Sequence, residues 1–169
     1  DNNPGTHTSL YTIGHRLIKD ASGIYRDQLI VVFRGTYDQE WYGNFDMTGT
    51  SYDPDFDYHV SFQLAVNDAM EDLGSYIKKM AAEGFIARDN LSILLTGHSR
   101  GGAVANMMAQ ELTDIRDGIT SGSNYSHFSD YDISNVYAYT FATPNVATVS
   151  RIERCKENST TKYNNIHNF

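Results

Sequence analysis

Leu91-Ser92-Ile93-Leu94-Leu95-Thr96-Gly97-His98-Ser99-Arg100-Gly101-Gly102-Ala103 decides the architecture of this 169-residue chain. The apolar run Leu91–Leu95 predicts a buried strand, and the pattern from Ala103 to Leu112 predicts a helix that continues to about Arg116. Between them stands G-x-S-x-G. Strand, G-x-S-x-G and helix in that order form a nucleophile elbow, a turn so sharp that the serine backbone is strained and its hydroxyl stands clear of the sheet. Gly97 and Gly101 flank the serine because a side chain at either place would strike the neighbouring backbone. Gly102, Ala103 and Ala105 keep the helix slim, and its N-terminus aims N–H groups and a positive dipole end at the serine. A glycine-rich turn without chemistry is the plainer reading, and the flanking strand and helix count against it.

Upstream, Ser9–Ile18 and Leu29–Phe33 read as strands joined by the turn residues Asp20-Ala21-Ser22-Gly23, a hairpin at the front of a sheet. Arg34-Gly35-Thr36 ends the second strand. Tyr37–Tyr58 is polar and aromatic with little periodicity, and a stretch of that length inside a domain is more often functional than idle. From about His59 to Ala82, Phe62, Val66, Ala69, Leu73, Ile77 and Met80 recur at spacings of three and four, a helix with one apolar stripe. Downstream, Asp117–Ser134 reads as a surface loop and Val136–Phe141 as a strand. A weak helical patch spans Ala147–Glu157, and Lys162–Phe169 closes the chain as a last strand. Strands alternating with helices predict one α/β sandwich over residues 1–169, with a largely parallel sheet.

A hydrophobic content of 40% with 20% charged residues is that of an ordinary globule. The net charge of −8 offers no basic block for nucleic acid, and none for electrostatic docking on anionic membranes. No apolar run reaches the roughly 20 residues of a membrane span, so stable membrane insertion is not expected. Cys155 is the only cysteine and cannot form an internal disulfide. Three glycosylation sequons, at Asn90, Asn124 and Asn158, leave the compartment open with a lean to secreted. Asp53-Pro54-Asp55-Phe56-Asp57 imitates a calcium loop but lacks its sixth-place glycine and twelfth-place glutamate, so it reads as an acidic turn. No metal site and no cofactor motif is found.

A serine hydroxyl needs a histidine base, a carboxylate to orient that base, and two N–H donors for the tetrahedral oxyanion. The backbone N–H of Arg100 is one donor, and the turn Arg34-Gly35-Thr36 is the best source of the second. Tyr37, Trp41, Tyr42 and Phe45 lie close to that turn in sequence, and an acyl chain could rest on them.

Four blocks in this order resemble the class 3 lipases of the α/β-hydrolase fold: Val31-Val32-Phe33-Arg34-Gly35-Thr36 with Trp41 soon after, His59-Val60-Ser61-Phe62, Thr96 to Gly102, and Tyr139 to Val146 with Phe141-Ala142-Thr143-Pro144 at its centre. The resemblance implies a three-layer sandwich with helices on both faces of the sheet and hydrolysis of lipid acyl esters without metal or cofactor. It implies Ser99 as nucleophile and Thr36 and Arg100 as oxyanion donors; Tyr37 and Trp41, beside that turn in sequence, are expected either to contact the substrate or to pack the long loop onto the domain. Three features depart from the pattern. Arg100 stands where leucine is common, either at the mouth of the site or snorkelling on the surface. Ser61 replaces a glycine. Tyr37–Trp41 is short and polar, which implies a small or absent lid.

In this fold the triad acid and base follow the serine along the chain. The resemblance puts the acid just beyond the second strand after the elbow strand, here Lys162–Phe169, and the histidine later still. Both are therefore expected beyond Phe169, with this chain incomplete at its C-terminus and inactive by itself. His59, His98, His127 and His167 are weaker substitutes for the base. The alternatives are a binding module that has lost catalysis, or another hydrolase on the same elbow, such as a phospholipase, thioesterase or feruloyl-type esterase.

Overall fold

The computed structural model describes residues 10–35, 60–119, 123–144 and 163–169. Strands β1 (Tyr11–Lys19) and β2 (Tyr25–Phe33) pair antiparallel, with Tyr11 opposite Phe33 and Lys19 opposite Tyr25. Asp20 builds the turn between them. One carboxylate oxygen accepts from the backbone N–H of Ser22 and Ile24, and the other accepts from Arg26 Nε at 2.7 Å. The Ser22 hydroxyl and the Arg26 guanidinium hold this carboxyl well below the usual carboxylate range. Gly23 closes the turn at φ +85°, where a Cβ would be strained.

Strand β2 starts four residues before the apolar run that announces it in the sequence. Its polar first half is held by side chains, with Arg16 Nε donating to Gln28 and His15 Nε2 2.8 Å from Asp27 Oδ1. Helix α1 (Val60–Ala82) then crosses back, and Phe62, Val66, Ala69, Leu73 and Ile77 of its predicted stripe are buried. Burying a side chain such as Leu73 contributes about 2 kcal/mol. The helix closes with Gly84 at φ +78°, and the N–H of Phe85 returns to the carbonyl of Met80.

Strand β3 (Leu91–His98) runs parallel to β2, and helix α2 (Arg100–Arg116) leads into β4 (Ile133–Phe141), parallel to β3. The short strand β5 (Ile166–Asn168) adds in parallel to β4, giving the order β1-β2-β3-β4-β5. Successive right-handed crossovers that step in one direction place α1 and α2 on the same face of the sheet. Leu29, Val31, Phe33, Ile93, Leu95, Val136 and Ala138 point into that core. Among the described residues the other face carries the exposed side chains Val32, Tyr137, Tyr139 and Phe141.

Among the described residues, the span read as loop from Asp117 to Ser134 holds one 3-10 turn, Ser123–His127, and its last residues already belong to β4. The turn packs on α1 at Gly74, where any Cβ would lie 2.7 Å from that of His127. The helical patch at 147–157 lies outside the described residues.

Candidate active site

Ser99 is the residue between β3 and α2, and its backbone sits at φ 53° and ψ −124°. A non-glycine residue reaches that conformation only where its surroundings impose it. The surroundings are tight. A Cβ on Gly97 would lie 2.4 Å from the backbone of Gly101, and one on Gly101 would lie 2.4 Å from the Arg34 carbonyl. A Cβ on Gly102 would meet the Thr143 hydroxyl at 2.6 Å. The Ser99 N–H donates to the Phe141 carbonyl at 2.9 Å, and the Ser99 carbonyl accepts from Ala103. The elbow is thus clamped from both sides, by the end of β2 and by the end of β4. Ser99 itself is half-buried, at the open N-terminus of a 17-residue helix.

The turn after β2 abuts this elbow. Gly35 is so close to His98 that a Cβ would lie 3.2 Å from the His98 carbonyl oxygen. Arg34-Gly35 is therefore packed directly against the elbow. Thr36, Tyr37 and Trp41 lie outside the described residues, as do His59, the segment read as a reduced lid and the acidic turn at 53–57.

Arg100 corrects the sequence reading. Its side chain is 1% exposed and neither snorkels nor lines a mouth. The guanidinium lies over the ring of Phe62, 4.7 Å from its centroid, in the first turn of α1. Such contacts stabilise a desolvated cation by about 2 kcal/mol. Nothing in the local sequence distinguishes this from a surface arginine, because the ring comes from a distant helix.

The described histidines occupy different parts of the fold. His98 is exposed on β3. His127 packs on Gly74, and Asn124 of the same turn donates to Glu111, twelve residues along α2 from Ser99 and about 18 Å away by helical rise. His167 stacks on Tyr139 at 5.0 Å, on the sheet face away from the helices. The imidazole–carboxylate pair His15–Asp27 has no counterpart in the sequence reading. Asp27 lies level with Leu91, so this pair sits at the far end of the sheet, about 26 Å along the strand from Ser99. Its second oxygen accepts the N–H of Ala87 at 2.8 Å, which makes it a pin between the hairpin and the approach to β3. Among the described residues no cluster of His, Cys, Asp and Glu could hold a metal ion, and no helix is long and apolar enough to cross a membrane.

Residues 30–169 match the family model described as Lipase (class 3). A comparison with curated protein sequences returned no match. Among solved structures, a fungal lipase–inhibitor complex aligns at 20% identity and a TM-score of 0.50, over 83% of this chain and 52% of that one. A deletion mutant of the Rhizomucor miehei lipase propeptide complex aligns at 20% identity and TM-score 0.47, over 83% and 42%. The lipase of Rhizopus microsporus var. chinensis aligns at 20% identity and TM-score 0.48, over 87% and 50%. The chain spans about half the length of the solved lipases it matches.

Proposed function

Because the chain belongs to the class 3 lipase family, we propose that it is the nucleophile-bearing part of a serine hydrolase that cleaves lipid acyl esters. The observation that carries this reading is Ser99, a non-glycine residue held at φ 53° at the mouth of α2 by two glycine contacts closer than any side chain allows. In the proposed reaction Ser99 Oγ attacks the ester carbonyl carbon while a histidine takes its proton. The oxyanion receives hydrogen bonds from the N–H groups of Arg100 and Thr36, and the helix N-terminus adds its positive end. The histidine passes that proton to the leaving oxygen as the ester carbon–oxygen bond breaks, the neutral alcohol departs, and water then hydrolyses the acyl-serine by the same route. This chemistry calls for neither metal nor organic cofactor. Tyr37 and Trp41 are proposed to contact the acyl group.

The base and the acid that orients it are proposed to follow Phe169 in the whole protein. Two backbone bonds favour that position: Phe169 N–H donates to the Thr140 carbonyl, and its own carbonyl accepts from Ala142. Strand β5 therefore delivers the chain to the same end of the sheet as Ser99.

A fluorophosphonate probe tests the reading. It is expected to label the whole protein on Ser99 and to leave Ser99→Ala unlabelled. A folded protein that takes no label would overturn it. Esters of graded chain length, set beside phospholipid, thioester and feruloyl substrates, then assign the substrate class.

A further inference from the structure

Strand β5 is three residues long and holds little apolar surface; Ile166 is its one side chain packed against the core. Polar side chains fix it instead. Asn168 Oδ1 accepts from the Thr140 hydroxyl at 2.5 Å and from Asn106 Nδ2 at 2.6 Å, and the same hydroxyl lies 3.0 Å from Asn106 Oδ1. The Thr140 side chain is fully buried between β4 and α2. Just before β5, Asn165 Nδ2 donates to the Val136 carbonyl at 2.8 Å and to the Thr113 hydroxyl at 2.9 Å.

Two registers give this cluster a meaning beyond stability. Along α2, whose first residue follows Ser99, Asn106 and Thr113 are spaced by seven and share one face of the helix. Across the sheet, Gly97, Thr140 and Asn168 occupy one row, on β3, β4 and β5. Asn168 is therefore tied to the helix that carries the nucleophile and to the strand row on which the elbow turns. Two strand spacings, about 10 Å, separate it from the elbow.

We propose that Asn106, Thr140 and Asn168 form a positioning clasp that fixes the end of β5 relative to Ser99, and with it the groups that complete the active site. The inference rests on the lipase reading above, in which those groups follow β5. A clasp made of directional bonds sets register, where a short apolar strand would leave it free to slip. Catalytic geometry is sensitive to displacements of this kind; an ångström costs about a hundredfold in rate.

The test uses the whole protein and a soluble chromogenic ester. Asn168→Leu and Thr140→Val are expected to lower kcat by about tenfold to a hundredfold, with KM changed less than about threefold. Asn168→Asp keeps the accepting oxygens and is expected to retain at least about half of kcat. Asn106→Ala, at a partly exposed position, keeps the measurement available should Thr140→Val fail to fold. Folded variants with undiminished kcat, or an Asn168→Asp variant as poor as Asn168→Leu, would overturn the clasp. Fluorophosphonate labelling of Ser99 in the parent separates the two proposals. A labelled parent with unaffected variants removes the clasp alone, and an unlabelled parent removes both.

Discussion

Ser99 holds a backbone conformation that costs an L-residue about 1–3 kcal/mol. Glycine reaches the same φ without that cost and gives back part of the gain as chain entropy in the unfolded state. Ser99→Gly is therefore expected to stabilise the chain by about 1 kcal/mol, a rise of roughly 2–4 °C in Tm for a domain of this size, while labelling is lost. Ser99→Ala removes the proposed nucleophile and keeps the strain, so its Tm should stay with the parent. Calorimetry of the three proteins checks this, and a Ser99→Gly midpoint at or below that of Ser99→Ala would refute it. The glycines around Ser99 were legible in the sequence because their constraint is local: each answers to backbone within a few residues or to the adjacent strand end. Arg100 was not. Its burial is decided by Phe62 of α1, a contact that no window around the elbow contains.

At the scale of elements, α1, α2 and the 3-10 turn meet in a polar knot. Gln63 Nε2 and Asn124 Nδ2 each donate to Asn67 Oδ1 and to one carboxylate oxygen of Glu111, at 2.8 to 3.1 Å. Asn124 is buried and both bonds leave from its amide nitrogen. Asn124→Ala takes the donor from Glu111 Oε2 and leaves Asn67 Oδ1 with Gln63 alone, so it is expected to cost about 1–3 kcal/mol in urea unfolding. By the same geometry the Asn124 sequon is closed in the folded protein, since a glycan on Nδ2 would occupy the space of both partners. A variant that unfolds at the parent's urea midpoint would show the knot to be dispensable. The order and type of the long elements were legible because an apolar stripe or run marks each of them. Their ends were not. The first half of β2 is polar and is recruited by His15 and Arg16 on the neighbouring strand, and β5 is shorter than its sequence suggests because its anchors are asparagines rather than an apolar run.

Over the whole molecule the hairpin edge is tied to the helical layer through Tyr11, whose hydroxyl donates to the Asp72 carboxylate of α1 while its ring packs on Phe33 at 5.4 Å. Burial raises the pKa of this phenol, and the hydrogen bond to Asp72 and the charges of Asp72 and Asp68 raise it further. An unfolded tyrosine ionises near pH 10. Above that pH the unfolded chain releases a proton that the folded chain still holds. The contribution of Tyr11 is thus complete below about pH 10 and is lost as pH rises toward its folded value. The slope is at most about 1.4 kcal/mol per pH unit, and smaller after solvent screening at a ring that is only partly buried. Tyr11→Phe removes this term and keeps the ring packing. The variant should start below the parent at pH 8, having lost the bond to Asp72, and the gap should narrow between about pH 10 and 11.5. Any general repulsion from the net charge of −8 acts on both proteins and cancels in the difference. Thermal midpoints of parent and variant across that range decide the matter. Parallel curves would mean that Tyr11 ionises in the folded protein as it does in the unfolded chain, and that the tie between hairpin and helix carries no pH dependence.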